Sequence, residues 1–226
     1  MRISIETRRK MLAVVERVEP VLQVARRFEV SERGLHKLIE SCRNFMIARR
    51  FVAPERFVFL DESSAKTNMT RLCGRSPIGE RCNFFAAHSH WKTTTMISAI
   101  RHSGVIPKAT LLIDGPMNSD IFLGYIEHCL APTLNPGDIV VMDNLSAHKA
   151  MGVEEMIERV GANVWWLPPY SPDLNPIEKL WSKIKSWLRR AMADTPARLI
   201  RAAGDAFQAV APHECRNYFT SCGYGI

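Results

Sequence analysis

Ile139-Val140-Val141-Met142-Asp143 and Arg56-Phe57-Val58-Phe59-Leu60-Asp61 decide the fold, because each is a short apolar run that stops at a carboxylate. Such runs predict strands buried in a sheet that deliver an acidic group at their ends. Working outward, residues 93–100, 109–113 and 163–167 read as further strands, and 82–88 as another. Helical spacing marks 118–130, 153–160, 176–190 and 196–210. Strands first, then strands alternating with helices, predict an α/β layered domain with a mixed sheet.

The N-terminal part has a different character. Residues 6–18 read as an amphipathic helix through Met11, Leu12, Val14, Val15 and Val18. Residues 21–39 resemble a helix-turn-helix: Ala25 is small enough for close crossing, Phe28 and Val30 bracket the turn, and Ser31 caps a second helix with Leu35, Leu38 and Ile39 inward. Glu29 stands where a turn of this kind usually has glycine, and a plain helical hairpin is the competing reading. Arg33, His36 and Lys37 would point outward, with side chains suited to base edges and phosphates. The expected division is a helix-turn-helix segment over 1–44, a linker over 45–55, and an α/β domain over 56–226.

Charge follows the same division. The 226 residues carry 30 Lys+Arg and 23 Asp+Glu, a net charge of +7. Residues 1–50 hold 12 basic and 6 acidic side chains, and the remainder hold 18 and 17. An excess concentrated in a small helical segment points to a nucleic-acid partner, since Lys and Arg neutralise phosphate. With 46% hydrophobic residues, 12 Gly and 13 Pro, the chain is expected to bury a core, which excludes disordered and collagen-like classes. No run reaches the roughly 20 apolar residues of a membrane span, and the start lacks a signal peptide, so a cytoplasmic location is expected. The six cysteines include no C-x-x-C pair, which argues against zinc and a disulfide framework.

Three acids stand out by position. Asp61 and Asp143 close their strands, and Glu178 opens the helix after Pro168-Pro169-Tyr170-Ser171-Pro172-Asp173-Leu174-Asn175-Pro176. If the two strands are neighbours, the three carboxylates converge and repel unless cations lie between them. Hard oxygen donors select Mg²⁺ or Mn²⁺, and two such ions suit in-line attack on a phosphodiester. Each acid also has a structural reading: Asn175 as N-cap with Glu178 closing a capping box, Asp143-Asn144 as a turn, and Asp61 or Glu62, but not both, on a given face.

Taken together, Asp61-Glu62, Val141-Met142-Asp143-Asn144-Leu145-Ser146-Ala147-His148 and the block Leu167 to Glu178 resemble the signature blocks of bacterial insertion-sequence transposases of the Tc1/mariner superfamily. The 34 residues between Asp143 and Glu178 match the spacing of that group. Residues 66–71 with Gly74-Arg75, and 90–95, extend the resemblance over about 56–223. It implies a ribonuclease H-like fold and a metal triad of Asp61, Asp143 and Glu178. It also implies an enzyme that cuts the ends of a mobile element and joins them to double-stranded target DNA, working as a homodimer with two Mg²⁺ or Mn²⁺ ions at the nucleoid of a bacterial cell.

Around the triad, Asn144 and His148 are expected to orient Asp143, to contact DNA or, equally, to cap a helix. Lys179, Lys183, Lys185 and Arg189 share the polar side of the Glu178 helix and are expected to track phosphates. Arg71 and Arg75 belong to a basic loop placed to clamp DNA or a second subunit. Trp165 and Trp166 are expected to serve the core. Relatives usually carry two helix-turn-helix modules where this sequence has room for one. The alternative expectation is therefore a shortened, inactive DNA-binding relic that represses its own element.

Overall fold

The structure, a computed structural model, describes residues 20–71, 73–83, 91–146, 148–169 and 171–225. The helix expected over 6–18 and most of the strand expected over 82–88 lie outside these residues.

Six strands form one mixed sheet: β1 (Phe57–Lys66), β2 (Thr93–Arg101), β3 (Gly104–Val105), β4 (Leu111–Asp114), β5 (Ile139–Met142) and β6 (Asn163–Trp166). The spatial order is β3-β2-β1-β5-β6, with β4 also paired to β2. β1 runs antiparallel to β2 and parallel to β5, and β5 runs parallel to β6. β1 and β5 are thus central, which is why both are apolar on both faces.

Alternation along β1 divides the core into two layers. Phe57 and Phe59 face a cluster with Val141, Leu180, Trp181, Ile184, Leu188 and Phe219. Val58 and Leu60 face the other side, with Val140, Met142, Phe122, Ile126 and Ile157. The first layer holds α5 (Ile177–Ala191), α6 (Pro196–Gln208) and α7 (Pro212–Ser221); the second holds α3 (Ser119–Tyr125) and α4 (Val153–Arg159). In α5, buried Ile177, Leu180, Trp181, Ile184 and Leu188 recur at threes and fours, the spacing of one helical stripe. Asn118 caps α3 by accepting from the Ile121 N–H at 2.8 Å, and the helix runs on as a π-helical turn, Ile126–Leu130.

Three expectations are corrected. Asp61 does not close β1, which continues to Lys66 in antiparallel register with β2. The stretch expected as a linker, 45–55, is largely helical turns. It holds the last turn of α2 (Glu32–Ala48), a 3₁₀ turn at Arg49–Phe51 and the start of another at Pro54–Arg56. Phe45 is buried in the first core layer against Trp165, ring centroids 6.0 Å apart, so α2 is one continuous helix from the N-terminal segment into the α/β core. Helix α7 is additional; only Cys215 and Phe219 are buried in it, too few to show a periodicity in the sequence.

The helix pair itself follows its expected chemistry. α1 (Val21–Arg27) packs on α2 through Val24, Ala25 and Leu35, flanked by Phe28, Val30 and Ile39. Ser31 Oγ accepts from the Gly34 N–H at 3.2 Å, capping α2. Glu29 adopts φ of +54°, so the turn takes the left-handed conformation that glycine favours, with a side chain in place. No described helix is long and apolar enough to cross a membrane, and all six cysteines are free thiols.

Candidate active site

Strand register brings two acids together. β1 and β5 pair as Phe57–Ile139, Val58–Val140 and Phe59–Val141, so Asp61 and Asp143 each lie two residues beyond the last pair. A step of two keeps a side chain on the same face, here the α5 layer. Helix α5 crosses that face and offers Glu178 in its first turn. All three acids line one cavity of about 350 Å³, together with Asn144, Leu145, Leu167, Pro168, Pro169, Ser171, Pro172 and Asn175.

The acids are held differently. Asp61 is 9% exposed; its Oδ1 accepts from the Glu62 N–H at 2.8 Å and its Oδ2 from Trp181 Nε1 at 3.1 Å. Burial pushes its carboxyl up to about 7: the Glu62 N–H bond opposes this, the charges of Glu178 and Asp143 add to it, and the Trp181 bond again opposes it. Asp143 sits in the loop after β5 and accepts from the Leu145 N–H at 3.0 Å. Its Oδ1 lies 2.7 Å from His148 Nδ1.

His148 joins the two sides of the sheet. Fully buried and stacked on Phe122 at 4.4 Å between centroids, it places Nε2 3.4 Å from Glu62 Oε2 on the far face. Burial alone would lower the imidazole, but the Asp143 and Glu62 carboxylates outweigh it and push it up to about 9. It is therefore a buried imidazolium between two carboxylates. Asn144 acts elsewhere: its Nδ2 donates to the Leu167 carbonyl and ties the loop after β5 to the loop after β6.

The capping reading of the Glu178 helix does not hold. α5 begins with Pro176 as N-cap and has no side-chain cap. The Asn175 carbonyl accepts from the Glu178 N–H at 3.2 Å, and the residue lines the cavity.

The basic residues scatter. Arg71 and Arg75 are exposed in an irregular segment after β1, and Lys179 is exposed beside Glu178, with Lys185 and Arg189 half-buried along α5. Lys183 departs from its expectation: its Nζ is engaged by Glu214 Oε2 at 2.5 Å and the Ala209 carbonyl at 2.9 Å, which fastens α5 to α7. Arg33 and His36 are exposed on α2, His36 Nε2 lying 3.7 Å from Glu32. Lys37 lines an open groove between α2 and β6 with Trp165 and Trp166. Trp165 contacts Phe45 and Phe57 by its edges, and Trp166 Nε1 donates to Glu154 Oε1 at 2.8 Å.

Sequence reasoning gave Glu62 and Trp181 no part in the site and read Asn175 only as a helix cap. Two of them carry a signal: Trp181 is three residues after Glu178 and shares its helical side, and Glu62 must face away from Asp61.

Among the described residues, no three His, Cys, Asp or Glu side chains stand close enough to ligate a single ion. The donor set still fits Mg²⁺ or Mn²⁺. Such ions are commonly held by one or two carboxylates and complete their shell with water and substrate oxygens, and the cavity supplies three carboxylates of one chemical type.

Comparison with known proteins gives the family and the fold. A family model described as DDE superfamily endonuclease matches residues 56–200. The Transposable element Tcb2 transposase of Caenorhabditis briggsae is 26% identical over 166 residues, covering 68% of this chain; the chain spans 59% of that relative's length. Among solved structures, the Mos1 transposase paired-end complex with left transposon end superposes with a TM-score of 0.66 at 15% identity, covering 98% of this chain and 77% of that one. The catalytic domain of Mos1 mariner transposase gives 0.60 at 18% identity, covering 85% and 90%. At these identities the likeness is one of fold, and the fold is ribonuclease H-like. With one family model spanning more than half of its length, this chain belongs to the DDE superfamily endonucleases.

Proposed function

We propose that the chain is a DNA transposase of the Tc1/mariner type, cutting double-stranded DNA at element ends and joining those ends to target DNA. The observation that carries the reading is the convergence of Asp61, Asp143 and Glu178 on one open cavity in a chain of the DDE family. These three carboxylates would hold Mg²⁺ or Mn²⁺. The chemistry supplied by bound divalent cations is activation of a water or 3′-hydroxyl and neutralisation of charge on the leaving oxygen. Two such ions would suit an in-line displacement, one at the attacking and one at the leaving oxygen.

The protein's own residues would fix the acids. Trp181 Nε1 and the Glu62 N–H orient the two oxygens of Asp61, and His148 and the Leu145 N–H hold Asp143 Oδ1. Arg71, Arg75, Lys179, Lys185 and Arg189 would meet phosphates around the cavity, and Arg33, His36 and Lys37 would meet DNA along α2. The Mos1 relative is solved as a paired-end complex, and a homodimer bridging two DNA ends is the corresponding assembly for this chain. The block from Leu167 to Glu178 supports an insertion-sequence enzyme of bacterial type, acting at the nucleoid.

The test is Mn²⁺-dependent cleavage of DNA carrying the terminal repeats of the element this chain would move, with Asp143→Asn as control. Cleavage by the wild type and a loss on the order of a thousandfold in the variant, about 4 kcal/mol of transition-state stabilisation, is expected. DNA binding without cleavage would replace the enzyme reading with a repressor.

A further inference from the structure

Asn175 is the polar residue of the cavity whose side chain the fold leaves without an evident task. It is 4% exposed, and its Oδ1 is buried with no hydrogen-bond partner among the described residues. A buried carbonyl oxygen left unmatched is costly, so native structures rarely keep one without a ligand or ordered water to meet it. The oxygen is also held in place. Asn175 lies between a 3₁₀ turn, Pro172–Leu174, and Pro176, with an extended backbone at φ −110° and ψ 97°, the conformation a following proline enforces. Its N–H donates to the Pro172 carbonyl at 3.1 Å. The preceding Leu174 carbonyl accepts from Tyr224 Oη at 2.7 Å, and Arg49 lies 4.7 Å from the Tyr224 ring while its Nη1 donates to the Cys222 carbonyl at 2.7 Å. The end of α2 and the C-terminal segment thus brace the turn from behind.

We propose that Asn175 Oδ1 is an oxygen donor to a divalent cation bound in the cavity that Asp61, Asp143 and Glu178 line. This rests on the metal-dependent reading above and adds a ligand to it. A carboxamide oxygen is a hard donor that Mg²⁺ and Mn²⁺ accept, and being neutral it fills a coordination position without adding repulsion among three carboxylates. The braced Leu174-Asn175-Pro176 segment fixes the residue at the cavity wall, three positions before Glu178.

The test measures Mn²⁺ binding to the full chain by titration calorimetry, without DNA, for the wild type, Asn175→Ala, Asn175→Asp and Asp143→Asn. Asn175→Ala is expected to weaken binding on the order of tenfold. Asn175→Asp, which keeps the oxygen and adds a charge, is expected to bind more tightly than the wild type. Wild-type affinity in Asn175→Ala beside a loss in Asp143→Asn overturns the role of Asn175 and leaves the metal site standing. Weaker binding in both Asn175 variants also overturns it, since a packing role would be damaged by either change. Absence of Mn²⁺ binding by the wild type overturns the metal site and the inference together.

Discussion

Asp61 and Asp143 stand side by side on neighbouring parallel strands, two residues past the same register pair, and yet are held by opposite means. Asp61 lies inside a ten-residue strand that continues past it, so its surroundings are sheet and helix: the Glu62 N–H, the Trp181 indole and little water. Asp143 lies beyond the end of a four-residue strand, with its side chain 38% exposed, and an imidazolium five residues on in the same loop holds it. How far a strand runs beyond the shared register decides whether its acid is kept by desolvation or by a counter-charge. One wall of the cavity is dry and fixed, and the other is charged and open.

That contrast is most exposed to a change at His148. The His148→Gln variant removes the charge between Asp143 and Glu62, and breaking a buried ion pair from one side costs about 3 kcal/mol. Thermal unfolding should show this loss near neutral pH. The imidazole rises from an ordinary value of 6.5 to about 9 on folding, so the folded protein binds more protons between those values. The stabilisation is complete below about pH 6.5 and disappears as pH rises through about 9. Unfolding free energies measured across that range should fall in the wild type and stay flatter in His148→Gln. Equal slopes would remove the counter-charge from the Asp143 wall.

Asp61 gives the second window. Its carboxyl rises from 3.8 to about 7, so the protonated folded form is favoured; that contribution is complete below about pH 3.8 and is lost as pH rises through about 7. A divalent cation competes with this proton. Added Mn²⁺ should therefore raise the melting temperature more at about pH 8 than at about pH 5.5. A metal-induced shift independent of pH would show that Asp61 ionises as readily as a surface acid, and the contrast between the walls would fail.

The smallest effect expected is that of Trp181→Phe, which keeps an aromatic ring in the core and removes the indole donor to Asp61 Oδ2. Loss of one such bond is worth about 1 kcal/mol. It should move the pH midpoint of Mn²⁺ binding upward by less than about one unit, because the bond favours the ionised carboxyl. A midpoint that moves downward would show that desolvation, not the indole, is the interaction the ring controls.

Much of this was legible along the chain. The apolar runs before Asp61 and Asp143 named the two central strands, because only a strand covered on both faces needs that composition. The threes-and-fours spacing in 176–190 gave α5, and Ser31 gave the start of α2. Other features were hidden because they depend on who faces whom. Nothing local distinguishes Asn175 as a helix cap from Asn175 as a cavity oxygen, since both readings use the same residues before the same proline. Lys183 looks like any exposed lysine until α7 brings Glu214 to it. The stretch 45–55 carries charge and a proline, and only the packing of Phe45 against Trp165 shows that its first residues are helix and core.

The sequence by itself determined the central strands, the helical stripe that covers them and the three acids, because periodicity and residue type are written locally. Tertiary structure decided how the acids are held. The parallel register set Asp61 beside Asp143, the crossing of α5 brought Glu178 and Trp181 over them, and a buried histidine reached through the sheet from Asp143 to Glu62. Most of those are relations between residues far apart in the chain. Their energies come from desolvation and charge pairing, which have no value until the fold sets the distances.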